Sequence, residues 1–94
     1  MDFTVQRDDS AHRYAARIDG HDAHIDFTPA GDRVLDFRHT EVAAELRGHG
    51  VAESLVRQAL DDVRARGEHI VATCPFVKKF LARHADYRDL VAAR

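Results

Sequence analysis

Ninety-four residues leave room for one small domain, and 45% hydrophobic with 32% charged residues is ordinary for a chain that buries a core. A net charge of −2 excludes a generic nucleic-acid clamp, and a single cysteine excludes an intramolecular disulfide framework and an all-cysteine zinc site. No apolar run approaches the roughly 20 residues of a membrane span. The first ten residues have neither the basic start nor the apolar stretch of a secretory signal, so a reducing cytoplasm is the expected compartment.

The first forty residues read as short strands. Phe3 and Val5 suggest the first. Tyr14, Ala16 and Ile18 then alternate with Ala15, Arg17 and Asp19, and Ala23, Ile25 and Phe27 alternate with His24, Asp26 and Thr28. A period of two suits strands with one buried and one wet face. Asp19-Gly20 between them is a favoured hairpin pair, because glycine accepts positive φ without strain. Pro29-Ala30-Gly31-Asp32 marks the next turn, and Leu35 and Phe37 place a fourth strand at about 33–40. Four strands joined by tight turns imply an antiparallel meander.

The period changes at Val51. Ala52, Leu55, Val56, Ala59, Leu60 and Val63 form one apolar stripe, with Arg57, Asp61, Asp62 and Arg64 opposite. This predicts an amphipathic helix of about four turns, closed by Gly67 as C-cap. Ile70-Val71-Ala72 is too short and too β-branched for a helix and reads as a buried fifth strand, parallel to the fourth after a right-handed crossover. Pro75 opens a further helix carrying Phe76, Val77, Phe80, Leu81 and His84, and a last short helix spans roughly Asp86 to Ala93. The expected fold is α+β, one domain over residues 1–94.

Charge is segregated along this layout. Residues 1–46 hold ten acidic and five basic groups, a net of −5; residues 47–94 hold six and nine, a net of +3. An anionic ligand prefers the second half. At its start lies Glu41-Val42-Ala43-Ala44-Glu45-Leu46-Arg47-Gly48-His49-Gly50-Val51-Ala52, joining a strand end to the best helix. Glycines there admit a ligand close to the backbone. The N–H groups of a first helical turn lack internal partners and carry partial positive charge, which suits phosphate or pyrophosphate. The lysine-bearing phosphate loop and the longer dinucleotide fingerprint are both missing.

Arg47-Gly48-His49-Gly50-Val51-Ala52 resembles the Gln/Arg-x-x-Gly-x-Gly/Ala signature of GNAT (Gcn-related N-acetyltransferase) proteins. Together with His39-Thr40-Glu41-Val42, Cys74-Pro75-Phe76-Val77 and His84-Ala85-Asp86-Tyr87, it resembles the very small, single-domain members of that family over residues 38–91. Ala43 and Ala44 stand where small relatives often have proline. The resemblance implies the acyl-CoA N-acyltransferase (GNAT-like) fold and acetyl-CoA as co-substrate. It implies that backbone N–H groups from Arg47 through Gly48, His49, Gly50 and Val51 to Ala52 hold the pyrophosphate. Pantetheine would pair with Thr40 to Val42 where strands four and five splay, and an N–H near Val42 would polarise the thioester carbonyl.

Transfer to an amine needs a base and a proton for the leaving thiolate. Glu41 lies where many members keep a base, and His39, two residues earlier on the same strand face, is the other candidate. The tyrosine acid of larger members is missing, with Phe80 and Leu81 in its place, and Tyr87 is not assigned the role. Cys74 ends strand five just before a helix, a setting that favours thiolate. It could carry the acetyl group or protonate the thiolate, or simply fill the end of the sheet as an inert buried thiol. His21 and His24 sit on opposite strand faces, and His12, His39, His49, His69 and His84 show no ligand spacing, so no metal is expected. Lys78, Lys79 and Arg83 form a basic patch facing water or the cofactor's 3′-phosphate.

The leading expectation is an acetyl-CoA-dependent N-acetyltransferase with an unidentified amine acceptor, a small amine or a protein lysine. The alternative is a non-catalytic acetyl-CoA or CoA-binding module, and a third possibility is a partner-binding scaffold. No nucleic acid or membrane partner is expected, and the chain should be a monomer or weak dimer.

Overall fold

A computed structural model describes residues 2–92. Five strands lie in chain order in one sheet: β1 (Gln6–Asp8), β2 (Arg13–Ile18), β3 (His21–Gly31), β4 (Val34–Val42) and β5 (His69–Ala72). The first four form the expected antiparallel meander, and β5 returns parallel to β4 through helix α1 (Val51–Ala65). Helix α2 (Pro75–Arg83) follows, with Pro75 in its first turn. No described helix is long and apolar enough to cross a membrane.

Local chemistry sets the connections. Asp19 at φ 51 and Gly20 at φ 79 turn β2 into β3, the paired positive angles that a two-residue hairpin needs. The next turn falls later than the sequence suggested: β3 runs on through Pro29, Ala30 and Gly31, and Asp32-Arg33 makes the turn. Proline is tolerated because β2 pairing ends at Arg13↔Asp26. Phe27 N–H points toward β2, donating to His12 O at 2.9 Å, and Pro29 faces the same way past the end of that strand. Arg33 takes φ 58, and its guanidinium donates to Arg66 O at 2.8 Å, tying this turn to the end of α1.

Two further expectations need correcting. β1 begins at Gln6, so Phe3 and Val5 precede it and pack half-buried against the core. The Gln58 side chain takes the place of a strand partner there, accepting from Val5 N–H at 3.0 Å and donating to Phe3 O at 2.9 Å. The last predicted helix is a 3-10 helix over Ala85–Leu90. Extended Val91 then bridges Ile70, with Ala92 N–H on Ile70 O at 2.7 Å, so the chain covers the edge of β5 instead of coiling on. The predicted end of that helix, Ala93, lies outside the described residues.

The apolar stripe of α1 is fully buried from Val51 through Leu55, Val56, Ala59 and Leu60 to Val63. It packs on Tyr14, Ile25, Phe27 and Phe37 of the sheet, and each such aliphatic side chain contributes about 1.5–3 kcal/mol by leaving water. Helix α2 adds Val77, Phe80 and Leu81 to the same core. Arg7 clamps the edge strand: it pairs with Glu68 and lies 5.2 Å over the Phe27 ring. Both helices cover one face of the sheet. The opposite face, carrying Arg13, Ala15, Arg17, Asp22, His24 and Asp26, has no helix over it among the described residues.

Candidate functional site

β4 pairs with β5 only from Val34 to Phe37. The Phe37 carbonyl then accepts both Thr73 N–H at 3.1 Å and Cys74 N–H at 3.0 Å, and the two strands part. The cause lies in the β3–β4 register, where Asp26 faces His39 but Phe27 faces Phe37, leaving Arg38 as an extra residue. A bulge of this kind bends its strand and sharpens the twist. It also shifts the pleat, so that Thr40 and Val42 fall in phase with Ile25 and Ala23 on the helix side, and His39 and Glu41 on the bare side. Ala43 N–H donates to Asp22 O at 3.0 Å, which fixes the main chain of Glu41 and Ala43 toward β3. The main chain of Thr40 and Val42 therefore faces the gap left by β5.

The chain leaves β4 in a 3-10 turn over Ala44–Leu46, with Leu46 buried as its anchor. Arg47 folds back, its Nε 3.4 Å from Val42 O. Gly48 at φ 83 and Gly50 at φ 72 adopt angles that other residues enter only with strain, and a Cβ on either would point into open space. The helix then begins, its first bond running from Ser54 N–H to Gly50 O at 3.1 Å. Six consecutive N–H groups, Gly48 to Glu53, have no protein acceptor among the described residues.

These donors border a concavity of about 260 Å³ walled by Leu46, Gly48, Gly50 and Glu53. A second, of about 330 Å³, is walled by His39, Thr40 and Glu41. The two share Val42, Arg47, Ala52 and Phe76, and so form one groove. A third, of about 250 Å³, continues past Glu53 and Phe76 to Lys79, Arg83 and His84. His84 stacks on Phe80 at 4.1 Å and reaches Glu53 at 3.1 Å, joining the starts of α1 and the end of α2 across the groove.

Thus Thr40, Val42, Arg47, Gly48, Gly50, Val51 and Ala52 meet in one place. His49 is exposed at the loop tip and lines neither concavity. Glu41 stands at the groove's rim, with His39 Nε2 3.9 Å from its carboxylate. Cys74 caps α2 as the sequence suggested but is only 3% exposed, and its Sγ lies 3.4 Å behind the Thr40 hydroxyl rather than on the groove wall. Tyr87 is turned away: its hydroxyl donates to Asp61 at 2.7 Å, and burial followed by that bond pushes its pKa up.

A sequence model of the family described as GCN5-related N-acetyl-transferase matches residues 13–90. The chain belongs to this family. It is 34% identical over 79 residues to Protein NATD1 of Bos taurus, covering 82% of this chain and 70% of that one. With Protein NATD1 of Homo sapiens it is 33% identical over the same 82% and 70%. A GCN5-like protein from Staphylococcus aureus, solved in solution by NMR, has the same fold at a TM-score of 0.72 and 22% identity, over 96% of this chain and 88% of that one. The ribosomal-protein-alanine N-acetyltransferase of Brucella melitensis matches at a TM-score of 0.52 and 25% identity, over 87% and 62%.

Members of this family generally use acetyl-CoA. Three wall residues carry no role in the sequence motifs: Leu46, Glu53 and Phe76. Phe76 is a large apolar side chain left 39% exposed, and its place just ahead of the buried Val77 of α2 was the available signal. The bulge also left a trace, since the core-facing positions step from Phe37 to Thr40, three residues instead of two.

Proposed function

We propose that the chain is a minimal acetyl-CoA-dependent N-acetyltransferase acting on a primary amine. The observation that carries this reading is the unpartnered run of N–H groups from Gly48 to Glu53, opening onto the groove where β4 parts from β5. Oriented main-chain donors at a helix start suit a diphosphate. Gly48 and Gly50 leave the approach free of side chains. The gap-facing main chain of Thr40 and Val42 offers strand-like partners for the amides of pantetheine, and Lys79 and Arg83, farther along the groove, are cations available to a 3′-phosphate.

Acetyl-CoA supplies an acetyl thioester, whose C–S bond breaks as the amine nitrogen forms the C–N bond of the amide, leaving a free thiol. This chain supplies proton handling and charge stabilisation around that exchange. The Glu41 carboxylate, with His39 beside it, takes the proton that frees the amine. Val42 N–H donates to the oxygen on which negative charge develops. The Thr40 hydroxyl, backed by the Cys74 thiol at 3.4 Å, is the route by which a proton reaches the departing sulfur.

Titrating 15N-labelled protein with acetyl-CoA should perturb amides centred on residues 40–52 and 72–76. Changes elsewhere, or none, would overturn the reading. Saturation at 100 times the dissociation constant should add about 2.7 kcal/mol to stability, visible as a rise in Tm. A second reading, a CoA-binding module without turnover, draws on the engagement of Tyr87 by Asp61, which keeps that phenol from the groove. Both readings require the amide changes, but only the enzyme releases thiol when amines are added.

A further inference from the structure

The bare face of the sheet is not uniform. One transverse row runs Gln6, Ala15, His24, Glu41 across β1 to β4, each residue paired with the next. Ala15 is the small member of that row. An ion pair stands on either side of it: Arg17 with Asp22 at 3.2 Å, and Arg13 with Asp26 at 3.0 Å. The two pairs are walls, and Ala15 is the floor between them.

Concavities of about 690 Å³ and 450 Å³ meet over this floor, sharing Ala15, Ala16 and Asp22. The second ends at His24 and Glu41, and Glu41 is also a wall of the groove beside Thr40. Four strands at about 4.8 Å spacing make the trough roughly 14 Å long. It is open above, with walls two residues to either side of Ala15 along β2, so what it selects is reach: a chain must extend from Glu41 over Ala15 to use the floor.

Its inner end carries the carboxylate of Glu41 beside the imidazole of His24. His24 Nε2 lies 3.6 Å from Asp26 and 3.7 Å from Glu41, within ion-pairing reach of both when the ring is protonated. Its ring is 6.5 Å from that of His39. Asp26 already shares charge with Arg13, whereas Glu41 faces only imidazoles and is 62% exposed.

We infer that this trough is the acceptor subsite, and that it takes an extended primary alkylamine with its methylenes over Ala15 and its ammonium against the Glu41 carboxylate beside His24. The inference rests on the transferase reading and names its acceptor. The chemistry is shared by two sources, a free linear diamine and a lysine side chain presented by a peptide. The ammonium gives up its proton to the Glu41 carboxylate or the His24 imidazole, and the freed nitrogen then lies at the end of the trough that opens into the groove.

The test is amide mapping with amine alone, before any acetyl-CoA is added. Millimolar 1,4-diaminobutane should perturb Ala15, His24 and Glu41, whereas tert-butylamine, too short to reach from Glu41 to Ala15, should leave Ala15 unmoved. Equal effects of the two amines, or perturbation away from this row, would overturn the inference. Ala15→Leu fills the floor on an exposed strand face. It should abolish the diamine response and raise the amine KM at least tenfold, while acetyl-CoA still perturbs residues 48–53. An unchanged KM in folded Ala15→Leu would overturn the assignment. A lysine-containing peptide run in parallel identifies the source by which probe saturates at lower concentration. Because the amine titration needs no acetyl-CoA, failure of the donor site and failure of the trough give separate results.

Discussion

β4 is one strand with two environments. From Val34 to Phe37 it is paired on both sides, to β3 and to β5, and Leu35 and Phe37 are buried beneath α1. From Thr40 to Val42 it is paired on one side only, its other edge free and its side chains half-buried or exposed. One extra residue, Arg38, separates the halves. The first half is held by packing and a complete ladder, and the second is left with main-chain donors and acceptors to offer. The contrast shows how a domain this small carries a site: it withholds pairing at one end of a strand whose other end anchors the core.

The largest expected effect comes from crossing that boundary with a pair of substitutions. Phe37→Ala empties a fully buried position touching Tyr14 and Phe27, and should cost about 3–5 kcal/mol in urea unfolding. Thr40→Val, three residues away, removes only the hydroxyl facing Cys74 and should stay within about 1 kcal/mol of the parent. Comparable losses would mean that the second half is as structural as the first, and the division of β4 would not hold.

A smaller effect is expected at Gly50. A Cβ there meets nothing within 4 Å, so Gly50→Ala is charged for the φ of 72 alone, about 1–2 kcal/mol. In a domain of this size each kcal/mol lowers Tm by about 4–8 °C. The same substitution should weaken acetyl-CoA binding more than Thr40→Val weakens it, because Gly50 sets the direction of the first N–H groups of α1. A melting curve and a binding titration on both variants would decide the order.

Most of the sheet was legible because its signals are local. The alternation in Tyr14–Ile18 and Ala23–Phe27, the Asp19-Gly20 turn and the stripe from Val51 to Val63 each depend on neighbours within a turn or a strand. The loop from Arg47 to Ala52 was legible for the same reason. What escaped depends on partners far along the chain. Gln58 holds Phe3 and Val5 from 55 and 53 residues away, and Ile70 draws Val91 out of a helix. Phe76 joins the groove because α2 starts beside the parted end of β4. His24 looked like one of seven scattered histidines until the register set it beside Glu41.

The smallest effect sharpens the packed side of the comparison. Tyr14 of β2 is 1% exposed and sets its ring edge against Phe37 of the paired half of β4, with its hydroxyl donating to Asp62 at 2.7 Å. Burial first, and then that bond, push its pKa well above the ordinary tyrosine value, with Arg7 opposing in part. A raised value means that the folded state holds a proton which the unfolded chain gives up from about pH 10. Over that interval the unfolded state binds fewer protons, so stability is complete below pH 10 and falls as pH rises toward the folded value. Tyr14→Phe should cost about 1 kcal/mol at neutral pH, since Asp62 keeps Arg66 at 2.7 Å. Above pH 10 its stability should fall less steeply than the parent's, with Tyr87, whose value is also raised, supplying the slope that remains. Parallel curves for the two proteins between pH 10 and 11.5 would show that the Tyr14 hydroxyl is not held by the core, and would remove the rigid floor on which the division of β4 stands.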